Sequence, residues 1–293
     1  MSFLLPCFCQ ILSAQEINQT YVDDAGKMQL IGLCDRNALE QDSFKTWYQA
    51  EYNAYEPDEA LIEKAKHHLD DISIEIFMAT WCGDSRREVP RFYKILDALA
   101  VSDDNISLIN VYRKAPRYKQ SPTHEEVGKL LHRVPTFIVY RDGKEIGRIV
   151  EFPGSSLEMD LVQILVGLPS APQYKVVAVV DQRLAALDSM TDRQALLNIA
   201  REVYKFAHND RGLNTYGYVL MSRDEVDKAI AVFTINAMLN SKEPNVYDSL
   251  GEAYERKEDF ESALYMYQAV VSLDPENEHA LTKIAELEQK QEP

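Results

Sequence analysis

The sequence predicts an α/β domain with a mixed central sheet flanked by helices, followed by an all-α array of helical repeats. Three observations carry that expectation. The apolar run Ile72–Met78 is too short for a typical helix, and apolar positions at three- and four-residue steps follow it (Val89, Phe92, Tyr93, Leu96, Leu99, Ala100). Two short strand-like runs, 136–141 and 144–151, meet at Asp142-Gly143, a hairpin signal. From about residue 171 the strand signal fades, and Gly217 and Gly251 stand 34 residues apart, as do Ala229 and Ala263.

The chain has 293 residues, enough for two domains, and its 46% hydrophobic content supports packed cores. A net charge of −16 argues against a general electrostatic hold on nucleic acid or anionic membrane. The charge is uneven. Residues 86–119 carry eight Lys/Arg against four acids, a basic island beside Cys82 that either steers acidic partners or is simply a solvated face.

Phe3–Leu12 is apolar and is followed by Ser13-Ala14-Gln15. Residues 1–15 therefore read as a signal peptide, although no Lys or Arg precedes Lys27. The run is too short to span a bilayer, and Cys7 and Cys9 follow residues too bulky for a lipoprotein box. An exported, periplasmic or extracellular protein is expected; the alternative is a cytoplasmic chain whose N-terminal strand packs on the domain. Removal of the signal would leave two cysteines, Cys34 and Cys82. Residues 16–56 form an extension with a helix over about 38–52, set by Leu39, Phe44, Trp47 and Tyr48.

From residue 57 to 168 the expected order is helix 58–70, strand 72–78, helix 84–101, strand 105–112, a loop with a short helix 123–131, strands 136–141 and 144–151, and helix 155–167. Cys82 falls on the strand-to-helix turn, where free N–H groups and the helix dipole favour an anion such as a thiolate. A buried inert cysteine is the alternative, but it needs neither the turn nor the helix start. His67 and His68 are adjacent on a helix and point to different faces. No Cys/His cluster has zinc-ligand spacing, so neither a metal nor another cofactor is expected.

Trp81-Cys82-Gly83-Asp84-Ser85, with Pro90 eight residues after the cysteine, resembles the active-site motif of the thioredoxin superfamily. Arg133-Val134-Pro135-Thr136 resembles that family's cis-proline loop. The resemblance spans about 58–167 and implies a thioredoxin-like fold acting on protein or peptide disulfides and thiols. On it, Cys82 is the nucleophile, Trp81 and Ser85 belong to the catalytic motif, and Gly83, Asp84, Val134 and Pro135 meet the substrate. Three departures matter. Ser85 replaces the second cysteine and cannot resolve a mixed disulfide, although its hydroxyl could hydrogen-bond the Cys82 thiolate. Asp84 stands where proline is common, its charge favouring the helix start and opposing the thiolate. Ile76 replaces the family's buried acid. Monothiol exchange remains, with an external thiol resolving the adduct. Cys34 is a possible resolving thiol, or an unpaired packed residue.

After linking helices at 172–209, one of them at about 191–208, residues 210–293 resemble tetratricopeptide (TPR) repeats at about 210–243 and 244–277, with a capping helix at 278–290. Tyr247, Leu250, Gly251, Tyr254, Ala263, Tyr267 and Pro275 match the motif in the second repeat; Leu213, Gly217, Ala229 and Phe233 match it in the first. These are packing residues. Their groove implies a protein partner, and 8 Lys/Arg against 17 Asp/Glu over 207–293 favour a basic or neutral peptide. The whole reads either as a thiol-disulfide exchange protein with a recruiting repeat domain or as a redox-inactive interaction module.

Overall fold

A computed structural model describes residues 16–168, 172–207, 209 and 211–291. The expected signal at 1–15 lies outside the described residues. The extension contributes strands β1 (Gln19–Val22) and β2 (Met28–Cys34), a 3-10 turn at Arg36–Glu40 and helix α1 (Asp42–Ala54). There follow α2 (Glu59–Lys66), β3 (Ile72–Met78), α3 (Gly83–Ala98), β4 (Ile106–Asn110), β5 (Thr136–Arg141), β6 (Lys144–Val150) and α4 (Leu157–Leu165). Asp58 caps α2 by accepting from the Ala60 and Leu61 amides, and Ser156 caps α4 through the Met159 amide.

The six strands form one sheet in the order β1-β2-β4-β3-β5-β6. β3 runs parallel to β4, and every other pairing is antiparallel. Alternation along β3 separates two cores, as a period of two requires. Ile72, Ile74, Ile76 and Met78 join the cluster that also holds the buried residues of α1 to α4. Phe77 and Ala79 face the other way, with Ile109, Val111, Leu131, Val134 and Ile138.

Two expectations are corrected. The extension was read as helix only, yet β2 is a member of the sheet, paired with β4 through Gly32–Asn110, Leu33–Ile109 and Cys34–Leu108. The helix expected at 123–131 does not form. His124, Gly128 and Leu130 all take left-handed backbone angles, which interrupt a right-handed helix, and the segment is a run of turns. That turn-rich segment, rather than a helix, covers the Phe77 face.

The C-terminal region is helical throughout: α5 (Lys175–Leu184), α6 (Arg193–Val203), α7 (Arg211–Ser222), α8 (Val226–Leu239), α9 (Pro244–Arg256), α10 (Phe260–Leu273) and α11 (Glu278–Gln291). Each helix packs on the next from α7 to α11, while α5 lies against α7 and α6 against α8. The 34-residue spacing has a direct physical cause. A Cβ on Gly217 would stand 2.3 Å from the Phe233 ring, and one on Gly251 would stand 2.9 Å from the Tyr267 ring. At both positions the helix backbone is the floor on which an aromatic ring of the next helix lies.

The helices also grip the sheet region. Gln120 Nε2 donates to the Ser222 carbonyl at 2.8 Å, and Ser222 Oγ donates to the Pro116 carbonyl at 2.8 Å. Leu130 packs into the helical core, and the His132 ring meets Tyr174 and Tyr216 edge-on. His132 is buried, and burial drives its pKa down to about 3, so it is neutral at the junction. Among the described residues no helix is long and apolar enough to cross a membrane.

Candidate active site

β3 ends at Met78 and the chain turns at once, the Cys82 amide donating to the Ala79 carbonyl at 3.0 Å. Cys82 is the N-cap of α3, with an extended backbone (φ −90°, ψ 126°). Pro90 lies inside that helix, where it removes one backbone donor. The turn is braced from the extension: the Leu30 amide on β2 donates to Thr80 Oγ1 at 3.1 Å, and Thr80 Oγ1 donates to Gln29 Oε1 at 2.7 Å. This bracing makes β2 part of the site's frame.

Cys82 is half-buried, and its Sγ donates to the Val134 carbonyl at 3.2 Å. The Val134–Pro135 bond is cis, as the resemblance implied. Trp81 Nε1 donates to the Val111 carbonyl at 3.1 Å, tying the turn to the end of β4. Trp81, Cys82, Val134 and Pro135 are thus brought together at the strand ends. Gly83 is exposed, and an added Cβ there would touch nothing within 4 Å, so the approach to the thiol over the helix start is open.

The other named residues are placed differently. Ser85 is fully buried, and its Oγ accepts from the Ala79 amide at 3.3 Å. The expected hydrogen bond from Ser85 to the thiolate is not made; the side chain instead closes the turn from beneath. Asp84 is paired with Arg87 at 3.1 Å, so its charge beside the thiol is partly offset. Cys34 is 8% exposed on β2 in the other core, with Asn110 Nδ2 donating to its sulfur at 3.4 Å. Burial pushes its thiol up to about 11, and both cysteines are free. The structure does not bring Cys34 to Cys82.

Around Trp81 lies a basic and aromatic cluster. Lys119 Nζ is 5.6 Å from the Trp81 ring centre and 5.2 Å from that of Tyr118, and Arg113 sits 5.9 Å over the same indole. Lys119 is only 4% exposed, and among the described residues it makes no ion pair. Burial lowers its pKa to about 8, with Arg133 adding to the lowering, and Cys82 and Glu151 acting against it. Arg133, next to Val134, pairs with Glu151 at 3.0 Å, donates to the Arg211 carbonyl at 2.9 Å and lies 4.6 Å over the Tyr174 ring. Tyr174 closes the set by donating to Glu151. The residue preceding the cis-proline dipeptide is therefore held by the start of α7 and by Tyr174, the residue before α5.

Composition marked Lys119 and Arg113 as part of a basic island but could not tell the buried cation from the exposed one. Arg133 was read only as a loop residue. Its contacts with the Arg211 carbonyl and the Tyr174 ring depend on the helical region folding back, which local pattern does not reveal.

Beside this cluster the 113–118 loop faces α7 and α9 across a cleft of about 620 Å³. Arg113, Tyr118, Tyr218, Met221, Glu252 and Arg256 are among its lining residues. A family model described as Thioredoxin matches residues 36–163. A curated protein named Thioredoxin, from Malassezia sympodialis, is 31% identical over 94 residues, which is 32% of this chain and 82% of that protein.

Proposed function

The chain belongs to the thioredoxin family, and on that premise we propose that it performs monothiol thiol-disulfide exchange at Cys82 on protein or peptide substrates. The observation that carries this reading is the Cys82 Sγ aimed at the Val134 carbonyl of the cis-proline loop, with open space over Gly83. The Cys82 thiolate attacks one sulfur of a substrate disulfide. A new S–S bond joins Cys82 to that sulfur, and the other substrate sulfur leaves as a thiolate and takes up a proton. Ser85 cannot attack the adduct. A low-molecular-weight thiol such as glutathione does so instead, returning Cys82 as a thiol and leaving the substrate sulfur joined to glutathione. In the adduct an extended segment of the substrate pairs with the backbone at Val134 and Pro135.

We read α7/α8 and α9/α10 as two TPR repeats and α11 as their cap, recruiting a protein partner. The equivalent contacts at Gly217–Phe233 and Gly251–Tyr267 support this. The cleft between the 113–118 loop and α7 and α9 gives such a partner a seat next to Trp81. An exported, periplasmic or extracellular setting is part of the proposal and rests on the Phe3–Leu12 run with Ser13-Ala14-Gln15. A second reading, a redox-inactive binding module, is favoured by Ser85 and Ile76 standing where the family has its second thiol and buried acid.

The two readings separate in one experiment. Reduced protein is mixed with a disulfide-bearing peptide, with and without glutathione, and products are followed by mass. Exchange predicts a one-to-one mixed disulfide alone and multiple turnovers with glutathione. No adduct under either condition leaves the binding-module reading.

A further inference from the structure

We propose that Arg133 is a positioning residue for exchange at Cys82: it anchors the Val134–Pro135 loop to β6 and to α7. The helical region is thereby a working part of the edge on which a peptide substrate pairs. The proposal rests on the exchange chemistry just assigned to Cys82 and adds the group that keeps a paired substrate in line with the sulfur.

The loop faces the sulfur directly. Cys82 Sγ donates to the Val134 carbonyl at 3.2 Å, and Arg133 is the residue before that carbonyl. The Arg133 carbonyl accepts from Thr136 Oγ1 at 2.8 Å, which closes the turn across Val134 and Pro135. Its guanidinium reaches three places at once. It donates to Glu151 Oε1 at 3.0 Å and to the Arg211 carbonyl at 2.9 Å, and it lies 4.6 Å over the Tyr174 ring. A planar, forked donor serves two acceptors while stacking on a ring, and a lysine ammonium does not.

Glu151 closes the frame from the other side. Its amide donates to the Pro135 carbonyl at 2.7 Å, while its carboxylate takes the Arg133 guanidinium and the Tyr174 hydroxyl. Glu151 is 8% exposed and has a left-handed backbone (φ 65°), a conformation that a non-glycine residue keeps where its neighbours hold it. Tyr174 is in turn seated on α7: a Cβ on Gly212 would stand 2.7 Å from its ring. The hold on the loop therefore runs from Pro135 through Glu151 and Arg133 to the first residues of α7. An extended substrate that pairs at Val134 and Pro135 needs that backbone fixed. A small disulfide with no backbone to pair needs only access to the thiol.

The test compares two substrates of the reduced full chain: a disulfide-bearing peptide, and hydroxyethyl disulfide, which has no peptide backbone. The rate of mixed-disulfide formation with each is read by intact mass for the parent, Arg133→Lys and Gly212→Ala. Arg133→Lys keeps the positive charge and loses the fork. Gly212→Ala displaces Tyr174 from α7 and leaves the loop sequence intact. Misplacing a positioning contact costs about tenfold or more in rate, so both variants are expected to slow the peptide about tenfold and to leave hydroxyethyl disulfide within about twofold of the parent. Equal slowing of both disulfides, or an unchanged peptide rate in either variant, would overturn the proposal.

Amide hydrogen exchange at Glu151 reads the same frame without any disulfide. That amide is held by the Pro135 carbonyl, so its hydrogen exchange is expected to quicken about tenfold in both variants while the amides of β3 keep the parent rate. Protection along β3 also shows that each variant is folded. No change at Glu151 counts against the proposal. If the parent reacts with neither disulfide, the thiol-disulfide reading fails, yet the Glu151 amide still decides whether Arg133 and α7 hold the loop. If the parent reacts with both and the variants keep its relative rates, only this inference fails.

Discussion

Cys82→Ser is expected to reduce the mixed disulfide with a peptide to background, while Cys34→Ser retains capture close to the parent level. The asymmetry follows from where the two sulfurs lie. Cys82 is half-exposed at the N-cap of α3 and aims at the Val134 carbonyl. Cys34 sits in the opposite core under α1 and α3, takes a hydrogen bond from Asn110, and has its thiol pushed up to about 11 by burial. A thiol in that range is almost entirely protonated at pH 7, and the thiolate is the nucleophile. Intact-mass analysis after quenching with acid reads both variants. Capture surviving in Cys82→Ser, or lost in Cys34→Ser with the fold intact by circular dichroism, would assign the chemistry to the wrong residue.

Lys119→Met is expected to stabilise the protein by about 3 kcal/mol at pH 7, and the gain shrinks to nothing by about pH 10.5. The shift of Lys119 from its ordinary 10.5 to about 8 corresponds to about 3 kcal/mol. The sign comes from proton counts. Between pH 8 and 10.5 the unfolded chain holds the Lys119 proton and the folded chain has released it. Stability of the parent therefore rises with pH through that window. Below pH 8 both states are protonated, and the full cost of burying the ammonium is present. Methionine has a similar length and no charge, so the variant lacks that limb. Lost ring contacts with Trp81 and Tyr118 offset part of the gain. Urea unfolding at pH 7, 9 and 10.5, taken as the difference between the two proteins, isolates Lys119 from the many tyrosines that also titrate there. A constant difference at all three pH values would show that Lys119 carries no burial cost.

Much of this was readable in the chain because local pattern and tertiary role coincide. Ile72–Met78 alternates until Glu75 and is then apolar throughout, because Ser73 is exposed while Ile76, Phe77 and Met78 are buried on both faces of β3, and Asp142-Gly143 makes its turn with both residues at positive φ. Gly217 and Gly251 repeat because a ring lies on each. The illegible parts depend on distant partners. β2 becomes a strand by pairing with β4, 74 residues away at Cys34–Leu108. The 123–131 segment has helix-compatible residues, but Glu126 is fully buried with Ser121 donating to it at 2.6 Å, which commits the chain to turns. Ser85 is close to the thiolate in sequence, but it is buried beneath the turn, where its oxygen accepts from the Ala79 amide. Lys119 was visible as a charge and invisible as a buried one, because its burial comes from loop and indole together.

On the proposed function Cys82 is a working nucleophile rather than a relic of the fold. The most direct measurement is the native-state rate at which each cysteine of the reduced protein, prepared without residues 1–15, is alkylated at pH 7, resolved by peptide mass. Cys82 is expected to be modified quickly and to completion while Cys34 stays untouched until the protein is unfolded. Cys82 as slow as Cys34 in the folded protein would contradict it, leaving the site as a scaffold and the helical region as the place where function resides.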